Sequence, residues 1–317
     1  MILALLACVD PDAPIAPGDD TVFLFEVPKG ASASGLGGRL VENGLAPSEW
    51  QWKLFLRQAD GGCLKAGKFK VRRSMSLTEV LTTLCGAPVA DEVPFAILEG
   101  WRIRDIDDAL AEAGRIEPGA YKAAVEARDY VTSFALPANS LEGYLYPETY
   151  QIPAEGRIDA HAFVQRQLDL FADRFVSRHP DGFGKRSLHD VVTMASMLER
   201  EEPRPEQRPL VAGILWKRID AGWALGVDAT SRYTLDVWND RRAFLQKLRD
   251  PADPWNTRKR VGLPPTPIGN PSLPSLEAAA APVDSEFWYY LHDSTGTLRP
   301  AKDSRGHEAN RKRYDVY

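Results

Sequence analysis

The stretch that most constrains the fold is Asp190-Val191-Val192-Thr193-Met194-Ala195-Ser196-Met197-Leu198-Glu199-Arg200-Glu201-Glu202, a helical run that ends in a cluster of acids. Leu188, Val191, Val192, Ala195 and Leu198 recur at three- and four-residue steps, which places them on one apolar stripe. Glu199 follows Ala195 by four residues and Val192 by seven, so its carboxylate is expected among the core-facing side chains. Arg200 and Glu201 are expected to turn toward solvent. A carboxyl group on the apolar side would be desolvated, and with Glu202 close by its protonated form would be favoured, as a general acid requires. An ordinary surface helix end remains the plainer alternative.

A chain of 317 residues suggests about two domains and can bury a substantial core. The net charge of −5, with Lys and Arg scattered, argues against a nucleic-acid surface. No zinc motif, phosphate loop or dinucleotide fingerprint occurs, so no metal or cofactor is expected. The apolar opening Met1-Ile2-Leu3-Ala4-Leu5-Leu6-Ala7-Cys8 is far shorter than the roughly 20 residues that span a bilayer. Three readings stay open: the tail of a membrane anchor, a lipoprotein signal ending at Cys8, or a frayed cytosolic N-terminus.

Residues 11–20, rich in Pro, Asp and Ala, read as a linker. A strand over 21–27, helices carrying Leu36 and Leu40 and then Trp52 and Phe55, a strand over 68–71 and a helix capped by Ser76 and Glu79 predict a compact α+β unit. That strand–helix–helix–strand–helix order looks like the peptidoglycan-binding LysM module. The predicted class is therefore α+β: residues 1–20 as truncated anchor or lipoprotein-like signal and linker, 21–91 as a small LysM-like domain, and 92–317 as a larger mixed α+β catalytic domain.

In that second part a strand over 93–98 leads to a helix with Ile103, Ile106 and Leu110, and a long amphipathic helix is predicted from Asp159 to Ser177. Between them, Ser140-Leu141-Glu142-Gly143-Tyr144-Leu145-Tyr146-Pro147-Glu148 reads as extended, with Tyr144 and Tyr146 on one face able to stack on a sugar ring while Glu142 and Glu148 bind hydroxyls. Tyrosines that pack a core are the alternative. Further on come a helix over 209–219, a proline-fixed loop over 262–271, an aromatic strand over 287–291 and a basic helical tail containing His307.

Four ordered pieces converge: the tyrosine-acid segment 140–150, Ala195-Ser196-Met197-Leu198-Glu199-Arg200-Glu201, Val227-Asp228-Ala229-Thr230, and Gly262-Leu263-Pro264-Pro265 with Asn270-Pro271. Together they resemble the YceG-like endolytic murein transglycosylases over roughly residues 21–317. The resemblance implies an enzyme of lyase type, held at the inner membrane by a single N-terminal anchor, that cuts peptidoglycan glycan strands in the periplasm near the synthases and ends nascent strands. It implies Glu199 as the catalytic acid, and Glu142, Tyr144, Tyr146, Glu148, Ser196, Asp228, Thr230 and Asn256 as substrate-binding positions. The chain departs from the family pattern at Ala229, at Trp255-Asn256-Thr257-Arg258 and at Gly296-Thr297-Leu298-Arg299-Pro300.

A lytic transglycosylase needs no water, because the 6-hydroxyl of N-acetylmuramic acid closes on its own anomeric carbon; one glutamate, here taken as Glu199, can donate and then accept the proton. Glu142 and Glu148 as a two-carboxylate hydrolase, or a non-catalytic peptidoglycan-binding scaffold, are the alternatives. Cys63 and Cys85, 22 residues apart in the first unit, would meet an oxidising compartment in an exported chain and could pair, or could stay as two free buried thiols.

Overall fold

The structure, a computed structural model, describes residues 10–89 and 91–316, so the apolar run Met1–Cys8 lies outside the described residues. Small two-stranded sheets and numerous helices give an α+β fold with no closed barrel. The chain divides into two compact units, Met1–Val93 with Pro153–Glu155, and Pro94–Ile152 with Gly156–Tyr317.

In the first unit, β1 (Phe23–Val27), α1 (Gly37–Glu42), α2 (Glu49–Phe55), β2 (Gly67–Val71) and α3 (Leu77–Cys85) follow the predicted order. β1 and β2 pair antiparallel with Phe25 opposite Phe69. The period-2 alternation turns Phe25, Val27, Phe69 and Val71 onto Leu40, Trp52, Val80 and Leu84, all buried. Ser76 and Glu79 form the expected capping box of α3. Cys63 and Cys85 are joined in a disulfide with their Cα atoms 5.1 Å apart, so the free-thiol reading does not hold.

Two further strand pairs are β3 (Glu92–Ala96) with β4 (Thr149–Pro153), and β5 (Tyr289–His292) with β6 (Leu298–Ala301). The second unit's helices are α4 (Ile103–Glu112), α5 (Ala120–Ala127), α6 (Ala160–Arg174), α7 (Leu188–Glu201), α8 (Arg208–Asp220), α9 (Asp228–Arg232), α10 (Arg241–Arg249), α11 (Leu273–Ala280) and α12 (Ser304–Arg313). Ser187 and Asp190 make a capping box that starts α7. Every residue from Val191 to Leu198 is buried, because α8, α9 and α11 all pack against this helix. It is a central helix, not one with a single buried stripe. That enclosure corrects the expected solvent orientation of Arg200, whose guanidinium stacks 4.2 Å from the Trp238 ring and donates to Gly100 O.

Residues 141–146 form a turn, in place of the extended segment expected, with the Tyr144 amide donating to Leu141 O at 3.1 Å. Gly143 has φ +89°, and a Cβ there would lie 2.6 Å from Pro267 Cβ, so glycine is required on both counts. The side chain of Asn270 closes this turn: Oδ1 accepts from the amides of Gly143 and Leu145, each at 3.0 Å, and Nδ2 donates to Trp101 O at 2.9 Å. The proline loop is tied to α7 through Ser196, whose Oγ accepts from the Ile268 amide at 3.0 Å. The charged insertion forms α10, capped by Asp240 and seated on α9.

Candidate active site

The acids that close α7 have three different environments. Glu199 is only 10% exposed, but its carboxylate is clamped: Arg208, 6% exposed, reaches it at 3.1 Å, and the Ser272 amide and hydroxyl donate to Oε2 at 2.9 and 2.5 Å. Arg208 also donates from Nε to Glu202 O at 2.9 Å, so the cluster ties the end of α7 to the start of α8 and α11. The helical phase indicated the buried side correctly. What lies there is a guanidinium and two hydrogen-bond donors instead of the apolar surroundings expected of an unpartnered acid.

Glu202 is fully enclosed, and its carboxylate faces His292 Nε2 at 2.9 Å and accepts from the Arg204 amide at 2.8 Å. Glu201, half-buried, lines a polar cavity of about 480 Å³ together with Asp228, Arg258, Tyr290, His292 and His307. Tyr290 OH donates to Glu201 Oε1 at 3.2 Å, and among the described residues no Lys, Arg or His forms an ion pair with it. Burial pushes the Glu201 carboxyl above the ordinary carboxylate value, with nearby His292 and the Tyr290 hydrogen bond opposing the shift and Asp228 adding to it. Its place in the last turn of α7, where unpaired carbonyls disfavour negative charge, acts in the same direction as burial. The expectation that Glu201 faces solvent is thereby corrected.

The other expected positions separate into cavity wall and scaffold. Asp228 lies on the cavity wall, paired to Arg258 at 2.5 Å. Thr230 and Asn256 are wholly enclosed. The Thr230 hydroxyl bonds Val227 O at 2.8 Å and Thr257 Oγ1 at 3.1 Å, and the Asn256 amide serves the carbonyls of Lys247, Leu248 and Asp250. Ser196 is likewise committed, donating to Thr193 O at 2.7 Å. Tyr144 is buried against Phe134 and Phe171 with its hydroxyl 3.0 Å from His189 Nδ1, and Tyr146 is buried beside Tyr150. Ser196, Thr230, Asn256 and Tyr144 thus have their side-chain polar atoms bonded within the fold, and Tyr146 is buried with its carbonyl accepting from Tyr150 OH; the packed-tyrosine alternative describes Tyr144.

Glu142 and Glu148 do not share the Glu201 cavity. Glu142 is 2% exposed, accepts from the Ile103 amide at 3.1 and 3.2 Å and from Tyr233 OH at 3.1 Å, and lines a separate cavity of about 350 Å³. Burial raises its carboxyl to about 8. Glu148 is exposed on another groove beside Arg166. Reasoning from sequence missed Tyr290, His292, Arg218 and Arg258 as cavity wall. The aromatic strand and the Trp255-Asn256-Thr257-Arg258 segment were visible, but nothing local connects them to α7.

The model of the YceG-like family matches residues 25–313. A protein of Bacillus subtilis (strain 168) named endolytic murein transglycosylase is 25% identical over 95% of this chain and 87% of its own length. One of the same name from Streptococcus pneumoniae (strain ATCC BAA-255 / R6) is 23% identical over 94% of this chain and 59% of its own. A crystal structure of a yceG-like protein from Listeria monocytogenes shares the fold with a TM-score of 0.58, at 24% identity, covering 92% of this chain and 99% of that one. With a family model spanning nearly its whole length, the chain belongs to the YceG-like family and is an enzyme of lyase type.

Proposed function

We propose that this enzyme is an endolytic peptidoglycan lytic transglycosylase that cleaves between N-acetylmuramic acid and N-acetylglucosamine, leaves 1,6-anhydro-muramyl ends and so terminates nascent strands. The observation that carries this reading is Glu201: one carboxyl group biased toward its protonated form, opening into a polar cavity, with no cation clamped to it. We assign the acid-base role to Glu201, and to Glu199 the positioning of the α7 end through Arg208. Glu201 donates its proton to the glycosidic oxygen as the bond to the anomeric carbon breaks. The 6-hydroxyl of the same muramyl residue then attacks that carbon and returns its proton to Glu201. No water is consumed and no second carboxylate is needed.

The first unit, read as LysM-like, would hold the glycan strand, with the boundary to the catalytic part near residue 92. Anchoring at the inner membrane through the N-terminus, with the catalytic part in the periplasm near peptidoglycan synthases, is part of the same proposal. The Cys63–Cys85 disulfide supports an oxidising location. Among the described residues no helix is long and apolar enough to cross a membrane.

A second reading, hydrolysis, draws on Asp228, a second carboxylate on the wall of the same cavity. Incubating glycan strands with the enzyme and weighing the products by mass spectrometry distinguishes the two. Ends lighter by one water support cyclisation; reducing ends as the main product would assign water activation to Asp228.

A further inference from the structure

The cavity beside Glu201 holds more positive charge than its own acids balance. Arg218, Arg258 and Arg311 line it, against Glu201 and Asp228. Arg258 is matched by Asp228, while Arg311 leans on Glu308 at 3.3 Å near the outer edge. Arg218 has no carboxylate partner among the described residues. Its guanidinium is held by backbone carbonyls alone: Nε and Nη2 donate to Trp288 O at 2.8 and 2.6 Å, and Nη1 donates to Leu225 O at 2.6 Å. It also lies 5.7 and 5.8 Å from the centroids of the Tyr289 and Tyr290 rings. Three of the five N–H donors of a guanidinium are thus spent, and two remain.

A rigid, stacked arginine with an unmatched charge and unspent donors on a cavity wall is built to receive an anion. The chemistry proposed for this cavity makes the same demand. Positive charge develops at the anomeric carbon as the glycosidic bond breaks, and an uncompensated cationic wall would oppose it. Glu201 becomes a carboxylate only as it gives up its proton, so before that step an anion on the substrate is what would offset the Arg218 charge.

We propose that Arg218 and Arg311 form a subsite for a carboxylate on the side arm of the muramyl residue next to the cleaved bond. This rests on the reading of the cavity as the glycan-cleaving site. The arm ends in a lactyl carboxylate when the strand is stripped of peptide, and in the carboxylates of an acidic stem peptide when it is not. Both present the same group to the arginines, and the site makes cleavage depend on the charge of that arm.

The test compares peptide-stripped strands, the same strands with their carboxylates capped as neutral amides, and peptide-bearing strands. Capping should lower kcat/KM of the wild-type enzyme by about tenfold or more. Arg311→Gln, a substitution at the outer edge, should compress the ratio of uncapped to capped strands to about twofold. Arg218→Lys should compress it too where circular dichroism shows the variant folded. The faster of the stripped and peptide-bearing strands identifies the source of the carboxylate. Binding of the same three strands to Glu201→Gln repeats the comparison without turnover. If no strand is cut, the glycan-cleaving reading fails while binding still decides this one. A wild-type ratio near one, or an unchanged ratio in Arg311→Gln, overturns the subsite.

Discussion

Replacing Glu199 and Glu201 separately by glutamine should give opposite results in stability and in catalysis. Glu199→Gln leaves the Arg208 guanidinium, 6% exposed, without its counter-ion. Breaking a buried ion pair by removing one partner costs about 3–5 kcal/mol, and glutamine can still accept from the Ser272 amide, which favours the lower figure of about 3. At about 2–4 °C per kcal/mol for a unit of this size, Tm should fall by roughly 6–12 °C. Activity per folded molecule should stay within about tenfold of wild type. Glu201→Gln replaces a carboxyl that burial already biases toward neutrality, so Tm should hold or rise. Its rate should drop by about 10²–10⁴-fold, the share general acid-base catalysis supplies. Thermal unfolding by circular dichroism and release of anhydro-muramyl products from glycan strands measure the two effects. A Glu199→Gln enzyme with wild-type Tm and no activity, beside an active Glu201→Gln, would refute the assignment and return the acid-base role to Glu199.

Reducing the Cys63–Cys85 disulfide frees a loop closed across 22 residues, which chain entropy values at about 3 kcal/mol, so urea unfolding of the first unit should shift to lower concentration with reductant; equal midpoints, or labelling of both thiols without reductant, would contradict it. Glu142 has a folded-state value raised from the ordinary 4.5 to about 8, so between those values the unfolded chain is ionised while the folded one keeps its proton. The folded state then binds more protons, and stability is highest below about 4.5 and falls as pH rises toward 8, by a few kcal/mol in order of magnitude. Glu142→Gln should flatten that slope in pH-dependent denaturation, and an identical slope in both proteins would count against it. Asn270→Ala strips acceptors and a donor from the buried groups at Gly143, Leu145 and Trp101, which should cost about 2–4 kcal/mol in calorimetry; a loss under about 1 would mean that water fills the gap.

What the sequence determined by itself was local. The alternation of β1 and β2, the Ser76 and Glu79 capping box, and the apolar periodicity of α7 all act within a few residues, so they could be read along the chain. The same periodicity placed Glu199 on the inward side, and it is inward. Helical phase indicates a direction but not what waits there. The partners of Glu199 are Arg208 on the next helix and Ser272, 73 residues away. Glu201 looked solvent-facing because the stripe of Leu188, Val191, Val192, Ala195 and Leu198 put Glu199, two residues earlier, on the inward side, whereas in the structure Met194 and Met197 are buried as well. The wall opposite it is built from Tyr290, His292 and His307, about ninety or more residues further on, and only the docking of β5 and α12 creates the cavity that desolvates it. The short strand β6, carrying a proline, and the charged helix α10 show little apolar pattern of their own; β6 forms by pairing antiparallel with β5, and α10 by packing on α9. Thr230 and Asn256 fit motif positions in sequence, but tertiary packing committed their polar atoms to backbone carbonyls and to Thr257. A carboxylate becomes clamped scaffold or free acid according to the charges that long-range folding brings within a few ångströms, and those charges are set by which elements pack together.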